Sequence, residues 1–290
     1  MRRTIRTAVT AGLLAAPVLL GAAACATAPT TEAVGLGDSY AAGPLITPQD
    51  PSSPGCLRSL VDYPHRVALQ KGYVLHDVSC SGATTDDMFA SQTGYDGKAV
   101  PPQLKALSAT TDVVTLTIGG NDIGFTGIIE NCVAITPTGP TQSGPKTCKA
   151  FYTAGGTDQL AARIAATRPK VDKVLQEIKR RSPSASTSVA GYPAILPEAG
   201  ACYPQLPLTP TDVGYLRGVE QQLNAMLKAS AAANGARYAD TYTPTIGHDA
   251  CKLPVVRFVE PLLPVGDAAP VHPNRAGEAA MAKAVAKTTP

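Results

Sequence analysis

The sequence predicts an α/β protein built as a three-layer αβα sandwich around a central parallel sheet. Short β-rich runs alternate along the chain with longer segments in which apolar residues recur at helical spacing. The run Val113–Ile118 is rich in β-branched residues with few polar interruptions, as expected of a central strand covered on both faces. At 290 residues and 44% hydrophobic content, the chain is large enough to bury a sizeable core.

The first half of the chain supplies three predicted strands and one helix. The stretch "EAVGLGDS" predicts the first strand and its exit turn, and "LVDYPHRVALQKG" predicts a helix that ends at Gly72. The stretches "YVLHDVSCSGATT" and "DVVTLTIGGND" predict the second and third strands, each leaving into a turn. Residues 131–156 are rich in Pro, Gly, Thr and Ser, which predicts a loop over the functional face.

The second half continues the alternation. A long helix, "DQLAARIAATRPKVDKVLQEIKRRS", contains Pro169, which is expected to kink or divide it. The strand "STSVAGYP", a proline-rich loop, the helix "DVGYLRGVEQQLNAMLKASAAANG" and the strand "ARYADTYT" follow. Asn274 is expected to cap the last helix. This order predicts a flavodoxin-like fold, in which chemistry collects at the carboxyl ends of the strands.

The N-terminus is typical of an export signal. Three arginines, an apolar run and small residues occur in that order, so we expect a signal peptide over residues 1–24, a tether over residues 25–32 and one domain over residues 33–290. The stretch "LLGAAAC" resembles a bacterial lipobox, in which Cys25 would carry a lipid. Ordinary cleavage after Ala24 or Ala26 is the alternative, and the sequence leaves both open.

Six cysteines remain after Cys25, and an exported protein is expected to pair them. Fifteen pairings are possible. We favour pairing of sequence neighbours, because each pair brackets a loop-like segment: Cys56 with Cys80, Cys132 with Cys148, and Cys202 with Cys251. These cysteines lack C-x-x-C or C-x-x-H spacing, so we expect no metal site from them.

Composition also argues against two classes of partner. Lysine and arginine number 25 against 22 aspartate and glutamate, and no dense basic run occurs outside the first six residues and "KRRS", so nucleic-acid binding has little electrostatic support. The chain has no tryptophan, which leaves a base-stacking or sugar-binding aromatic surface poorly supplied. We therefore expect a small-molecule or lipid partner rather than a nucleic acid, and a monomer.

Three short motifs stand at the exits of the first three predicted strands, and a fourth stands just before the last helix. They are "GDSY" with Ser39, "SCSGATT" with Gly82, "GGND" with Asn121 and "VHPN" with His272. In this order they resemble the four blocks of the SGNH or GDSL hydrolases, and the resemblance covers about Val34 to Ala286. The cysteines and the segment around His248 resemble the secreted actinomycete lipases and esterases of that family, which carry three sequential disulfides.

The resemblance implies a nucleophile, Ser39, and a base, His272, without metal or organic cofactor. A serine hydroxyl needs such a base to remove its proton. The backbone N–H groups of Ser39 and Gly82 and the side-chain amide of Asn121 are expected to form the oxyanion hole. Asp38 and Asp122 are expected to be structural, as are His65, His76 and His248.

The group that orients His272 departs from the family pattern. Most relatives have an aspartate three residues before the histidine, where this chain has Ala269. We therefore expect a Ser39–His272 dyad in which the backbone carbonyl of Ala269 accepts the ring proton, with Asp267 as the rival acceptor.

The resulting prediction is a secreted serine ester hydrolase, a lipase or esterase. The same four motifs would also serve a polysaccharide acetylesterase, and a surface binding module that has lost catalysis is the alternative from another class. The acyl chain length and natural substrate are not encoded in any of these motifs.

Overall fold

A computed structural model of the chain describes residues 8, 30–135, 147–263 and 266–290. Apart from Ala8, the predicted signal peptide lies outside these residues, as do Cys25 and residues 136–146 of the predicted loop. In the part of the chain that the structure describes, no helix is both long and apolar enough to cross a membrane.

The strands are β1 (Glu32–Gly37), β2 (Val74–Asp77), β3 (Gln92–Thr93), β4 (Ala99–Val100), β5 (Val113–Thr117), β6 (Ser186–Ala190) and β7 (Arg237–Ala239). The central sheet has five of these strands, all parallel, in the order β2-β1-β5-β6-β7. A small antiparallel pair, β3 with β4, lies apart from it.

The helices are α1 (Ser39–Ala42), α2 (Tyr63–Lys71), α3 (Phe125–Ile135), α4 (Cys148–Tyr152), α5 (Gln159–Arg181), α6 (Pro210–Ala233) and α7 (Arg275–Val285). Four of them flank the sheet in two pairs, α2 with α7 and α5 with α6, which gives the three-layer sandwich that the sequence predicts.

Local sequence sets the helix ends. Four helices each begin at a residue whose side-chain oxygen accepts a backbone N–H of the first turn. These N-caps are Asp62 on α2, Asp158 on α5, Thr209 on α6 and Asn274 on α7. Helix α5 runs unbroken through Pro169, so tertiary packing of its apolar side overrides the division that proline suggests.

The segment predicted as a loop over residues 131–156 is in part helical. Helix α3 extends to Ile135, and Thr147 caps α4 by accepting the backbone N–H of Ala150. The disulfide Cys132–Cys148 joins these two helices. The structure also has the disulfides Cys56–Cys80 and Cys202–Cys251, so all three pairs are the sequence neighbours.

The core sits on both faces of β5, whose five residues are all buried. β1 is also buried from its second residue to its last. These two strands are neighbours in the middle of the sheet, and their carboxyl ends therefore lie side by side, enclosed by the flanking helices.

Candidate active site

Ser39 opens α1 directly after β1. The Asp38 backbone N–H donates to the Thr117 carbonyl (2.9 Å), which joins the ends of β1 and β5. Gly37 has φ +145°, and a Cβ there would lie 2.5 Å from the Thr117 carbonyl oxygen. Glycine is therefore required at the turn that places Ser39 at the carboxyl edge of the sheet.

His272 lies just ahead of α7 and faces Ser39. Its Nε2 is 2.7 Å from Ser39 Oγ, although the two residues are 233 positions apart. Its Nδ1 is 2.7 Å from the backbone carbonyl oxygen of Pro270. A ring nitrogen facing a carbonyl must carry the proton, so the tautomer with Nδ1–H leaves the Nε2 lone pair directed at the serine hydroxyl.

The prediction that Ala269 supplies this carbonyl is wrong. The Ala269 carbonyl accepts the backbone N–H of His272 (3.2 Å), which closes a four-residue turn. Pro270 is the second residue of the turn and Val271, with φ +61°, is the third, the pattern of a type II turn. The Ala269 carbonyl is engaged inside the turn, and the Pro270 carbonyl is the one that meets the ring.

Asp267, the rival acceptor, is directed elsewhere. Its side chain is 51% exposed, and its Oδ2 lies 3.7 Å from Nε of Arg275. The described geometry thus gives His272 a neutral acceptor.

Tyr40, which follows Ser39 in the motif "GDSY", supports the turn that carries His272. Its hydroxyl donates to the Val271 carbonyl (2.6 Å), and its ring lies 4.9 Å from the His272 ring. Tyr40 is buried, so these contacts link the serine-bearing helix to the histidine-bearing turn.

Asn121 lines the same cleft as Ser39 and His272. Its side-chain Nδ2 donates to the Ala83 carbonyl (2.9 Å), which holds the amide beside the turn that contains Gly82. Gly82 has φ +82° and is exposed, but it is not among the described residues that line the cleft itself. The structure thus brings Ser39, Asn121 and His272 together and places Gly82 one residue from the Asn121 contact.

Asp38 is buried under the site and holds two elements. Its Oδ1 accepts the Tyr40 backbone N–H (2.9 Å), and its Oδ2 accepts the Tyr192 hydroxyl (2.5 Å). The Tyr192 oxygen in turn accepts the Gly120 backbone N–H (2.7 Å), next to Asn121. Burial raises the pKa of Asp38 to about 7 against these hydrogen bonds.

Sequence reasoning missed Tyr192. It follows β6, the fourth sheet strand along the chain, and Asn224 binds both its backbone N–H (2.7 Å) and its carbonyl (2.9 Å). The signal that points to it is its place at the exit of "STSVAGYP", because chemistry collects at the exits of parallel strands.

His272 is held in its basic form. Burial lowers the pKa of its ring, and the hydrogen bond to the Pro270 carbonyl only partly offsets this effect. The neutral ring is therefore available to accept a proton at neutral pH.

The cleft beside Ser39 has an apolar wall. The space between its lining residues is about 440 Å³ and includes open solvent. Its apolar lining is supplied by Ile123, Phe125, Ile195, Val219 and Leu223. A hydrocarbon chain next to the serine would find matching surface there.

The other histidines with described contacts have structural partners. His248 stacks on Phe258 with ring centroids 3.9 Å apart, and its Nδ1 is 2.6 Å from the Val256 carbonyl. His65 Nδ1 lies 2.7 Å from Asp62 Oδ1 and 3.4 Å from Asp77 Oδ2.

These three side chains, Asp62, His65 and Asp77, are close enough to hold a metal ion. Burial alone would lower the pKa of His65, but hydrogen bonds to Asp62 and then Asp77 outweigh it and raise the pKa to about 10. A protonated imidazole between two carboxylates accounts for the group without an ion.

A serine hydroxyl within hydrogen-bond reach of an oriented, neutral histidine, at the carboxyl edge of a parallel sheet, is the arrangement of a serine hydrolase. Comparison with known proteins narrows the class. Residues 36–280 match the GDSL-like Lipase/Acylhydrolase family, and the chain belongs to that family.

Three similar proteins come from Streptomyces species. The chain is 40% identical to Lipase 2 of Streptomyces coelicolor over 259 residues, which is 88% of this chain and 84% of that one. It is 27% identical to the phospholipase A1 of Streptomyces albidoflavus NA297, with a TM-score of 0.71 over 90% of this chain and all of that one. The extracellular lipase of Streptomyces rimosus is also 27% identical over the same shares, with a TM-score of 0.68.

The protein is therefore a carboxylic ester hydrolase of the lipase and esterase type. The expected fold and enzyme class are both confirmed.

Proposed function

We propose that the protein hydrolyses acyl esters with a Ser39–His272 dyad. The observation that carries this proposal is the line of two 2.7 Å contacts, from Ser39 Oγ to His272 Nε2 and from His272 Nδ1 to the Pro270 carbonyl. The first contact activates the nucleophile, and the second sets the tautomer that can do so.

The reaction has two halves. His272 Nε2 takes the Ser39 proton as Oγ attacks the ester carbonyl carbon, and the resulting imidazolium then protonates the departing alcohol. This leaves an acyl group on Ser39. Water attacks that ester as His272 takes one of its protons, and the imidazolium returns the proton to Ser39 Oγ as the carboxylic acid leaves.

The negative oxygen of each tetrahedral intermediate requires donors. We assign the backbone N–H groups of Ser39 and Gly82 and the side-chain amide of Asn121. The Ser39 N–H starts a helix and has no acceptor within it. One Asn121 N–H is used on Ala83, which fixes the amide and leaves its second N–H for the oxyanion.

The apolar wall of the cleft favours acyl groups longer than acetyl as substrates. The relatives named above as lipases and a phospholipase A1 support lipid esters as the substrate class. A series of p-nitrophenyl esters from acetyl to palmitoyl tests this assignment. A maximum kcat/KM at acetyl would contradict it and favour a polysaccharide acetylesterase.

The mechanism is tested with a fluorophosphonate probe and the Ser39→Ala variant. We expect wild-type protein to be labelled on the peptide that contains Ser39. We expect Ser39→Ala to resist labelling and to lose several orders of magnitude in kcat, roughly 10⁴-fold or more. Unchanged thermal melting and disulfide pairing control for folding. A labelled or active Ser39→Ala variant would exclude Ser39 as the nucleophile.

We further propose that the protein is exported and acts as a monomer. Residues 1–24 would serve as the signal and residues 25–32 as a tether ahead of the domain at residues 33–290. The disulfides and an extracellular lipase among the relatives support export. The mass of the natively expressed protein distinguishes a diacylglyceryl group on Cys25 from cleavage beside it, and size-exclusion chromatography measures the oligomeric state.

A further inference from the structure

The turn that carries His272 is paired along its length with the chain around Glu260. The Glu260 backbone N–H donates to the His272 carbonyl (2.9 Å), and the Val271 N–H donates to the Glu260 carbonyl (3.0 Å). Val259 and Pro273 form an antiparallel bridge beside them. The backbone of Glu260 therefore contacts both His272 and the residue before it.

The side chain of Glu260 joins the two flanks of the same turn. Its Oε2 accepts the Gly266 backbone N–H (2.8 Å), ahead of the turn, and its Oε1 accepts Nδ2 of Asn274 (3.0 Å), behind it. Asn274 is also the N-cap of α7. One carboxylate thus connects the entry to the turn, the exit from it and the start of the last helix.

Arg257 supplies the charge that this carboxylate needs. Its Nη2 contacts Glu260 Oε2, and the two side chains are only 7% and 3% exposed. A carboxylate so deeply buried is stable only when paired and hydrogen-bonded, and here it is both.

The turn needs such support because its backbone is strained. Val271 has φ +61°, which a β-branched residue rarely adopts. The Pro270 carbonyl faces the His272 ring only while the turn keeps this conformation. A free turn would relax, and the ring would lose its acceptor.

We propose that Glu260, paired with Arg257, is the positioning residue of His272. The inference rests on the proposed dyad. Glu260 does not touch the imidazole, in contrast to the carboxylate of a triad. It acts through the backbone, by holding the turn in which the Pro270 carbonyl accepts the ring proton.

The test is Glu260→Gln, which keeps the shape of the side chain and removes its charge. Turnover is measured with p-nitrophenyl butyrate and expressed per active site, counted by complete fluorophosphonate labelling, so that unfolded protein does not enter the rate. We expect kcat per site to fall roughly 10- to 100-fold with KM within about twofold, because ring orientation matters in the transition state and not in binding.

Arg257→Lys preserves the charge opposite Glu260 and is expected to retain most of the wild-type kcat. Asp212→Asn is the matched control. Asp212 is also a fully buried carboxylate that accepts a backbone N–H, that of Lys149 (3.0 Å), but it lies at the start of α6. We expect Asp212→Asn to lose stability and keep its kcat per site.

A wild-type kcat in Glu260→Gln, a change confined to KM, or an equal loss in Asp212→Asn would overturn the proposal. If Glu260→Gln does not fold, Asn274→Ser decides, since serine still caps α7 but cannot donate to Glu260 through an amide. A kcat per site equal to wild type in that variant would also overturn it. Failure of the dyad itself is recognised separately, by activity that survives in Ser39→Ala.

Discussion

Replacing Asp267 with asparagine tests whether His272 works without a carboxylate. Asp267→Asn removes the negative charge and keeps the size of the side chain. In the structure this side chain is half exposed and faces Arg275 at 3.7 Å, whereas the His272 Nδ1 is occupied by the Pro270 carbonyl. We therefore expect kcat to stay within about threefold of wild type.

The two mechanisms predict very different magnitudes. Neutralising the aspartate of a Ser-His-Asp triad costs roughly 10⁴ in kcat, which corresponds to about 5 kcal/mol of barrier. The Asp267–Arg275 ion pair is exposed and long, so its loss is expected to cost about 0 to 1 kcal/mol of stability and none of the barrier. The expected outcomes differ by more than three orders of magnitude.

The assay is steady-state hydrolysis of p-nitrophenyl butyrate, together with a thermal melt. Arg275→Gln is the matched control, because it breaks the same ion pair from the other side and leaves Asp267 in place. We expect the two variants to behave alike. A thousandfold loss of kcat in folded Asp267→Asn, with Arg275→Gln near wild type, would refute the dyad and restore a triad.

Two further predictions follow from pKa values. Because burial lowers the pKa of His272, kcat/KM should fall on the acid side with a pKa below histidine's usual value of 6.5; a limb above 6.5 would contradict the buried base. His65→Asn should lower the unfolding free energy by roughly 1 to 3 kcal/mol without changing kcat. Because the pKa of His65 in the folded protein is raised to about 10, the difference in unfolding free energy between wild type and variant should be full below pH 6.5 and should shrink as the pH rises through 10. Thermal melts at a series of pH values measure this difference. A difference that does not change with pH would exclude a protonated His65.

Much of the site could be predicted from sequence because its parts are local to strand exits. Ser39 and Asn121 each follow a strand whose residue pattern is strong, and parallel strands bring their carboxyl ends to one edge. His272 precedes a helix with a clear N-cap at Asn274. The sheet order then brings Ser39 and Asn121 to one edge, and the start of α7 brings His272 to Ser39.

The orienting carbonyl could not be predicted in the same way. Ala269 and Pro270 differ by one position, and the choice depends on which carbonyl the four-residue turn consumes. That turn requires a positive φ at Val271, a residue whose side chain argues against it. The contacts that hold it come from Glu260 and Tyr40, and the Tyr40 contact spans 231 positions in the sequence.

The carboxyl groups of Asp38, Glu260 and Asp267 each have a partner other than His272. Asp38 is the acidic residue next to Ser39, but burial raises its pKa to about 7 and Tyr192 bonds its Oδ2. Glu260 forms a buried ion pair with Arg257, and Asp267 forms an exposed ion pair with Arg275. These three carboxyl groups are thus engaged elsewhere, and burial keeps the pKa of His272 below its usual value. A base held neutral in this way accepts the serine proton over a wider range of acidic pH, while the oxyanion donors must supply more of the transition-state stabilisation.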